Sequence, residues 1–474
     1  MMYRAINALR RVQRELVRIW GGDARTRTTR VKTVYLPQIS SISSLPIRLL
    51  AALILISLLI LLKPFIHIRF GRLSSNALGL FTLPTEIYMC EVAEGIHPKK
   101  ALDIFYHYYK HSFGQSLATP TKAKYSVCNE QLGKMVERRL RVNDIARPLD
   151  NLVRLLPALG KDFSVIDTLR PQNGIEKGNE YLSKQEDLYG LLDRHPPQLK
   201  FTEHEKEESG LLLRSMGVSS GSPFVCFHAR DGEWLPKAFA RNVSVFGEWH
   251  RDDLRNASIA NYLPAAEKLV DLGYHAVRVG KFVEEALPTT HPKIIDYSTK
   301  YQTDLMDLYL AANCDFFIGQ NSGMTGLPLI FRTPIAFVNV YPLRYINYCA
   351  NEPNIFIPKH FYSESKGRLL TFREQFELGL AVLNVTNDEK VRTTMDRLEL
   401  KILENTAEEI TEVALEMNQR LTSEFEDPPE IKKLRSQFLD VIRSYPSALY
   451  LHPSRYEHLK IASSFLKRLP ELVS

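Results

Sequence analysis

Between residues 223 and 340 short apolar runs alternate regularly with helix-length amphipathic segments, and this rhythm constrains the fold more than any other feature of the chain. PFVCF (223–227), HAVRVGK (275–281), KIIDYS (293–298), DFFIGQ (315–320) and TPIAFVNV (333–340) read as strands. NYLPAAEKLVDLGY (261–274), TDLMDLYLAANC (303–314) and MTGLPLIFR (324–332) read as helices, with Gly273 closing the first and Thr303 or Asp304 opening the second. Strands alternating with helices of this length form βαβ units, hence an α/β fold with a parallel sheet and right-handed crossovers. Pro334 sits at a strand start, where the ladder tolerates it.

The first half is less regular. Phe65–Phe70 reads as a strand running into Gly71 and a loop, with an element continuing to Met89, which is how a Rossmann-like half begins. Residues 98–165 read as helices with basic faces, and 166–222 as a charged linker. The expected organisation is a basic arm (1–48), an apolar helix (49–64), an N-terminal Rossmann-like domain (65–215), a C-terminal one (220–400) and tail helices (401–474), one of which crosses back to brace the first domain.

Charge is distributed unevenly. Residues 1–32 carry nine basic side chains against Glu15 and Asp23, a charge of +7, and residues 33–72 add four cations and no acid. The whole chain is +7, so the remaining 402 residues sum to −4. A basic arm on an acidic body fits nucleic acid or an anionic membrane surface. The adjoining run LLAALILISLLILL (49–62) selects the membrane. Its 14 residues reach about 21 Å as a helix, short of a hydrocarbon core of about 30 Å. Both flanks are basic, so a re-entrant or interfacial helix on the cytoplasmic face fits better than a span. The five cysteines are widely spaced with no CxxC pair, which argues against a disulfide framework or a zinc site.

Two strand ends carry the chemistry. The strand Phe316–Ile318 ends in Gly319-Gln320-Asn321-Ser322-Gly323 before a helix, where backbone N–H groups, the Ser322 hydroxyl and the two glycines suit a phosphate. PFVCF ends in His228-Ala229-Arg230-Asp231: Arg230 can fork onto a diphosphate, and His228 and Asp231 can act as acid or base. Arg241 lies in an aromatic-rich loop, Lys281 at a strand end, and Asp304 and Asp307 at a helix start where they could read a base or ribose. Glu86, in the first half, is a candidate to face an acceptor hydroxyl. No spacing demands a metal, and neither a GxSxG elbow nor a Walker A loop is present.

Taken in order, IRFGRLSSNALG, VCNEQLGKM, FVCFHARD, RNVSV, the run from NYLPAAEKLV to FRTPIAFVN, and GRLLTF resemble a family of bacterial glycosyltransferases encoded among surface-polysaccharide genes, from about Ile68 to the end. The resemblance implies a GT-B fold, two Rossmann-like domains with parallel sheets facing across a cleft. It also implies a nucleotide-sugar donor (GDP-, UDP- or similar) used without metal or other cofactor, and a glycan or lipid-linked acceptor at the bacterial inner membrane. More distantly, the HxR and strand-end Ser-Gly are similar to those of fucosyltransferases and heptosyltransferases. By that likeness Arg230 and Asn321–Gly323 hold the diphosphate. Asn321 and Thr325-Gly326 depart from the heptosyltransferase pattern of an acid and a His, which speaks against a heptose donor. A pyruvyl transferase on the same fold and a membrane-anchored sugar-binding protein are the alternatives. Nucleic acid is not an expected partner.

Overall fold

The computed structural model describes residues 45–107, 127–167, 187, 190–232, 254–381, 388–446 and 451–473. The chain is a mixed α/β protein with two parallel sheets and a small antiparallel one. The helices used below are α1 (Leu45–Leu62), α2 (Leu78–Glu94), α3 (Glu130–Glu137), α4 (Ala146–Val153), α5 (Glu203–Ser215), α6 (Leu263–Asp271), α7 (Asp304–Asn313), α8 (Gly326–Phe331), α9 (Ala407–Thr422) and α10 (Pro429–Arg443); further helices span Phe372–Glu377, Asp388–Arg397 and Ser463–Arg468, with shorter turns between.

In the first half β1 (His67–Leu73) lies between β2 (Ala101–His107) and β3 (Ser164–Asp167), all parallel. Three expectations are corrected here. Residues 101–107, expected as helix, and 164–167, spanning the expected boundary of helix and linker, are strands. Gly71 is inside β1 because a Cβ there would stand 2.3 Å from the Phe105 ring, so it makes room for an aromatic rather than a turn. The charged stretch expected as linker is α5, nucleated by a capping box: Thr202 Oγ1 accepts from Glu205 N, and Glu205 accepts from Thr202 N.

The second half carries six parallel strands: β4 (Phe224–His228), β5 (His275–Arg278), β6 (Ile294–Asp296), β7 (Phe317–Gly319), β8 (Ile335–Val340) and β9 (Ile355–Pro358), in the order β6-β5-β4-β7-β8-β9. Each expected strand and helix from 223 to 340 is present, with bounds trimmed by a few residues. Nearly every residue of β4, β7, β8 and β9 is buried, as a parallel sheet covered on both faces requires. The order is the doubly wound one that reverses between β4 and β7, and the crevice beyond the carboxyl ends of those two strands is where such sheets bind ligands.

Lys359 alone separates β9 from β10 (His360–Ser363), which joins β11 (Arg368–Leu369) and β12 (Leu400–Leu403) in the antiparallel sheet. That sheet was not legible beforehand. The tail helix α9 packs on α6 and β8 of the second half. The expected brace to the first half comes from Arg455 instead, whose guanidinium bonds Asp187 and Asp193.

One hydrophobic cluster runs through both halves, from Leu73, Phe81 and Phe105 to Phe227, Phe317 and Phe356. The halves are also pinned by polar contacts. Arg332, at the C-cap of α8, donates to Glu86 Oε1 at 2.9 Å and to the carbonyls of Leu192 and His195. Lys281 donates to Asp304 at 2.7 Å and to Cys128 O at 2.9 Å, while Asp304 accepts from Asn129 and Glu130.

Helix α1 buries Ala52, Ile56 and Leu59, the last two in a cluster with Phe70, Tyr106, Ala146 and Phe163. Its outer face exposes Leu50, Leu53, Ile54, Leu58, Leu61 and, just beyond, Phe65 at 78%. Both faces are apolar, so periodicity could not tell them apart. Among the described residues no helix is long and apolar enough to cross a membrane.

Candidate functional site

β4 and β7 are paired neighbours, with His228 opposite Gly319, so the two segments singled out in the sequence end side by side at the reversal of strand order. The structure brings a third segment between them. Residues 254–257 are tied to the β4 end by Ala257 N donating to Arg230 O at 2.9 Å. Toward β7, Gln320 Nε2 donates to Arg255 O, and Arg255 Nη2 donates to Asn321 O.

Arg230 donates through Nη1 to Asn256 Oδ1. The Asn256 carbonyl accepts from Lys359 Nζ at 2.5 Å. Arg230 and Lys359, at the carboxyl ends of β4 and β9, thus meet at one asparagine, while Arg255, the residue before it, reaches the end of β7. Arg230, Arg255, Asn256, Ser322 and Gly323 are partly exposed, while Lys359 is buried. The Arg255 guanidinium also lies 5.9 Å from the Tyr345 ring centroid. Arg255, Asn256 and Lys359 were missed in the sequence. Lys359 does follow an apolar strand, IFIP, so the strand-end argument that found Arg230 could have found it. Arg255 has no such local signal.

His228 is partly buried, and its Nδ1 pairs with Val279 O at 3.0 Å. A carbonyl can only accept, so Nδ1 carries the proton. Burial holds its pKa down to about 4, against the opposing pull of that carbonyl and of Asp231. It is therefore a neutral imidazole and a weak base. Asp231 accepts from Glu284 N at 2.9 Å, which leaves a carboxylate at the same strand end.

The 319–323 segment is built differently from its sequence reading. The helix after it, α8, has six residues, too short for an appreciable dipole. Asn321 is buried, with its amide tied to Tyr341 O at 2.8 Å. Gly319 makes room for the Phe317 ring, which a Cβ would meet at 2.7 Å, and Gly323 faces Gly79 of the first half. Ser322 Oγ pairs with Thr325 Oγ1 at 3.1 Å and remains partly exposed.

The other described candidates are held by partners of their own. Glu86 is fully buried between the halves, and burial raises its pKa against the pull of Arg332. Lys281 and Asp304 are engaged with each other. Asp307 is buried, accepts from Tyr297 and Gln302, and has its pKa raised by burial to about 6. Arg241 lies outside the described residues. Among the described residues no group of three His, Cys, Asp or Glu side chains is placed to hold a metal.

No protein-family model matches the chain, and no curated protein does. Solved structures to which it is similar include a glycosyl transferase of family 9 from Veillonella parvula, at 14% identity and a TM-score of 0.38, covering 70% of this chain and 98% of that one. Heptosyltransferase II of E. coli aligns at 13% identity and a TM-score of 0.32, over 70% of this chain and 100% of that one. The dodecameric iron-containing heptosyltransferase TibC, solved with ADP-D-beta-D-heptose, aligns at 9% identity and a TM-score of 0.32, over 74% and 77% of the respective chains. All three are glycosyltransferases, and the overlays are loose.

Proposed function

We propose that this chain is a glycosyltransferase of the GT-B kind that moves a sugar from a nucleotide-sugar donor to a glycan or lipid-linked acceptor at a membrane surface. The observation that carries the reading is the meeting of two strand ends at the reversal of strand order, where Arg230 follows β4 and Arg255, from residues 254–257, bonds Asn321 O beyond β7. Cations fixed in advance by their own hydrogen bonds suit a diphosphate leaving group, because they stabilise its growing charge without reorganising. In the reaction the sugar C1–O bond to the diphosphate breaks, an acceptor oxygen bonds to C1, and the acceptor proton passes to a base. We place that proton on Asp231, since His228 is held neutral and weakly basic by burial.

The same reading uses α1 as an interfacial anchor. One apolar face is consumed by the body and the other is exposed beside Arg48 and Lys63, as a helix lying in an anionic membrane surface requires. This supports membrane contact from the cytoplasmic side without a span.

Thermal unfolding of the full chain with UDP-, GDP-, CDP- and ADP-linked species tests the donor. A ligand at a hundred times its Kd raises stability by about 2.7 kcal/mol, and Arg230→Ala should abolish the shift. If no nucleoside diphosphate or nucleotide sugar moves the transition, the glycosyl-transfer reading fails.

A further inference from the structure

We propose a second binding site, for an acidic saccharide, in a cavity of about 470 Å³ between the end of α3 and the segment that leads into α5; the choice of a sugar rests on the glycosyl-transfer reading above. Its cations are Arg138 and Arg139, just beyond α3, and Lys200, and its apolar wall is Pro196, Pro197 and Phe201. Among the described residues no acid lines it. The Phe201 ring stacks on Phe331, the last residue of α8, with centroids 5.5 Å apart. Helix α8 carries the chain from the carboxyl end of β7 to the start of β8, so the cavity stands at the far end of α8 from the donor crevice.

The wall is fixed before any ligand arrives. Gln198 Nε2 donates to Pro196 O at 2.8 Å, Gln198 N donates to Glu86 Oε1 at 2.9 Å, and Arg332 donates to His195 O at 3.1 Å. Arg138 is spent on positioning. It forks onto both oxygens of Glu205, at 2.6 and 3.0 Å, and donates to Lys200 O at 3.3 Å. Arg139 and Lys200 are placed differently. Both are exposed, and among the described residues no carboxylate pairs with either. Arg139 reaches the neutral Gln198 amide oxygen at 3.5 Å, and Glu86, bonded by the next atom of that residue's backbone, is taken by Arg332. Two unneutralised cations therefore border a cavity whose size falls within the range of small-molecule sites, about 300–1,000 Å³. A guanidinium and an ammonium select a carboxylate or a phosphate. An inorganic ion makes no use of two proline rings and a phenyl ring, whereas the C–H faces of a sugar ring pack on them. The side chains of Gln198 and Thr202, also on the lining, suit its hydroxyls. A glycan seated here is gripped by a part remote from its reacting end.

The test is calorimetric titration of the full chain with trigalacturonate, which carries carboxylates, with glucose phosphate, with neutral maltotriose and with inorganic phosphate. The same titrations are run on the double variant Arg139→Gln, Lys200→Gln, whose exposed substitutions should leave the melt unchanged. One of the two acidic sugars should bind, and which one identifies the acid. The double variant should bind it roughly tenfold to hundredfold more weakly, as loss of hydrogen bonds to charged groups requires, with each single variant in between. Affinity should fall as salt is added. Equal affinity in the natural and double-variant proteins overturns the proposal, as does a loss that comes only with a lowered melt. Maltotriose binding as tightly overturns it too, and inorganic phosphate binding as tightly reduces the cavity to an ion site. Binding of UDP, GDP, CDP or ADP should be the same in both proteins. A nucleotide that binds while neither acidic sugar does leaves the glycosyl-transfer reading standing and this inference fallen. Acidic sugar bound through Arg139 and Lys200 with no nucleotide bound does the reverse.

Discussion

Gly323 and Gly79 meet backbone to backbone across the two halves: a Cβ added to Gly323 would stand 3.1 Å from the Gly79 nitrogen and 3.3 Å from Leu78 Cβ. The glycine that the sequence offers for close approach to a phosphate is used for close approach of α2. Gly323→Ala should therefore cost about 1–3 kcal/mol through overpacking. It should appear in thermal unfolding without ligand. If only nucleotide affinity falls and the melt is unmoved, the contact is not what the glycine serves.

A sharper version of the same contact lies one turn on. A Cβ on Gly326 would fall 2.4 Å from Thr82 Oγ1, which is itself committed to Leu78 O at 2.8 Å. Gly326→Ala alone should destabilise the protein. Combined with Thr82→Ala it should recover, and the helix-propensity gain of about 1 kcal/mol should then show. Additive losses in the double variant would refute the clash.

The Glu86–Arg332 pair makes a different demand. Removing one partner of a buried pair strands the other, at about 3–5 kcal/mol. Glu86→Ala should lower the melting temperature strongly, and Glu86→Gln less, since an amide oxygen still accepts from Arg332 and from Gln198 N. Activity of the surviving folded fraction in Glu86→Gln should stay near normal. Complete loss of turnover with an unchanged melt would restore Glu86 as a catalytic candidate.

His228 sets a pH dependence. Its folded pKa, about 4, lies below the 6.5 of a free histidine, so the unfolded chain takes up the proton first as pH falls. Stability from this group is present above pH 6.5 and is lost progressively as pH drops toward 4, on the order of 3 kcal/mol in all. Imidazole NMR should show one histidine that stays neutral, with the proton on Nδ1, down to about pH 5. Its titration near 6.5 would contradict the burial. The same neutrality means His228 should give no inflection in a pH–rate profile between 5 and 8.

The two faces of α1 can be separated by substitution. Ile54→Glu and Leu61→Glu, on the exposed face, should reduce flotation with anionic vesicles and leave the melt unchanged. Ile56→Glu, on the buried face, should collapse the melt. Undiminished flotation in the outer-face variants would remove α1 from the membrane.

How much of this was readable depended on whether the pattern was local. The strands from Phe224 to Val340 announced themselves because each is an uninterrupted apolar run bounded by turn residues. β2 and β3 did not, because ALDIFYH and SVID carry charged residues whose partners, Arg69 and Tyr88 for Asp103, lie elsewhere in the chain. Arg230 could be found from its place after a strand. Arg255 could not, since it reaches the site only when residues 254–257 fold between two strand ends. The segment around Asn321 does lie beyond a strand end, but the neighbours of Asn321, Gly319 and Gly323 were not legible, because a sequence shows that a loop is small and polar and not what it touches.

Helix α1 also bears on how this protein can be handled. The obvious route to a soluble form, cutting the chain after the apolar run, would strip Ile56 and Leu59 off Phe70 and Phe163 and open the first sheet to water. A form that keeps the helix and recolours only its outer face with Glu or Lys preserves that seal, so solubility is to be engineered at Leu50, Ile54, Leu58 and Leu61 rather than by truncation.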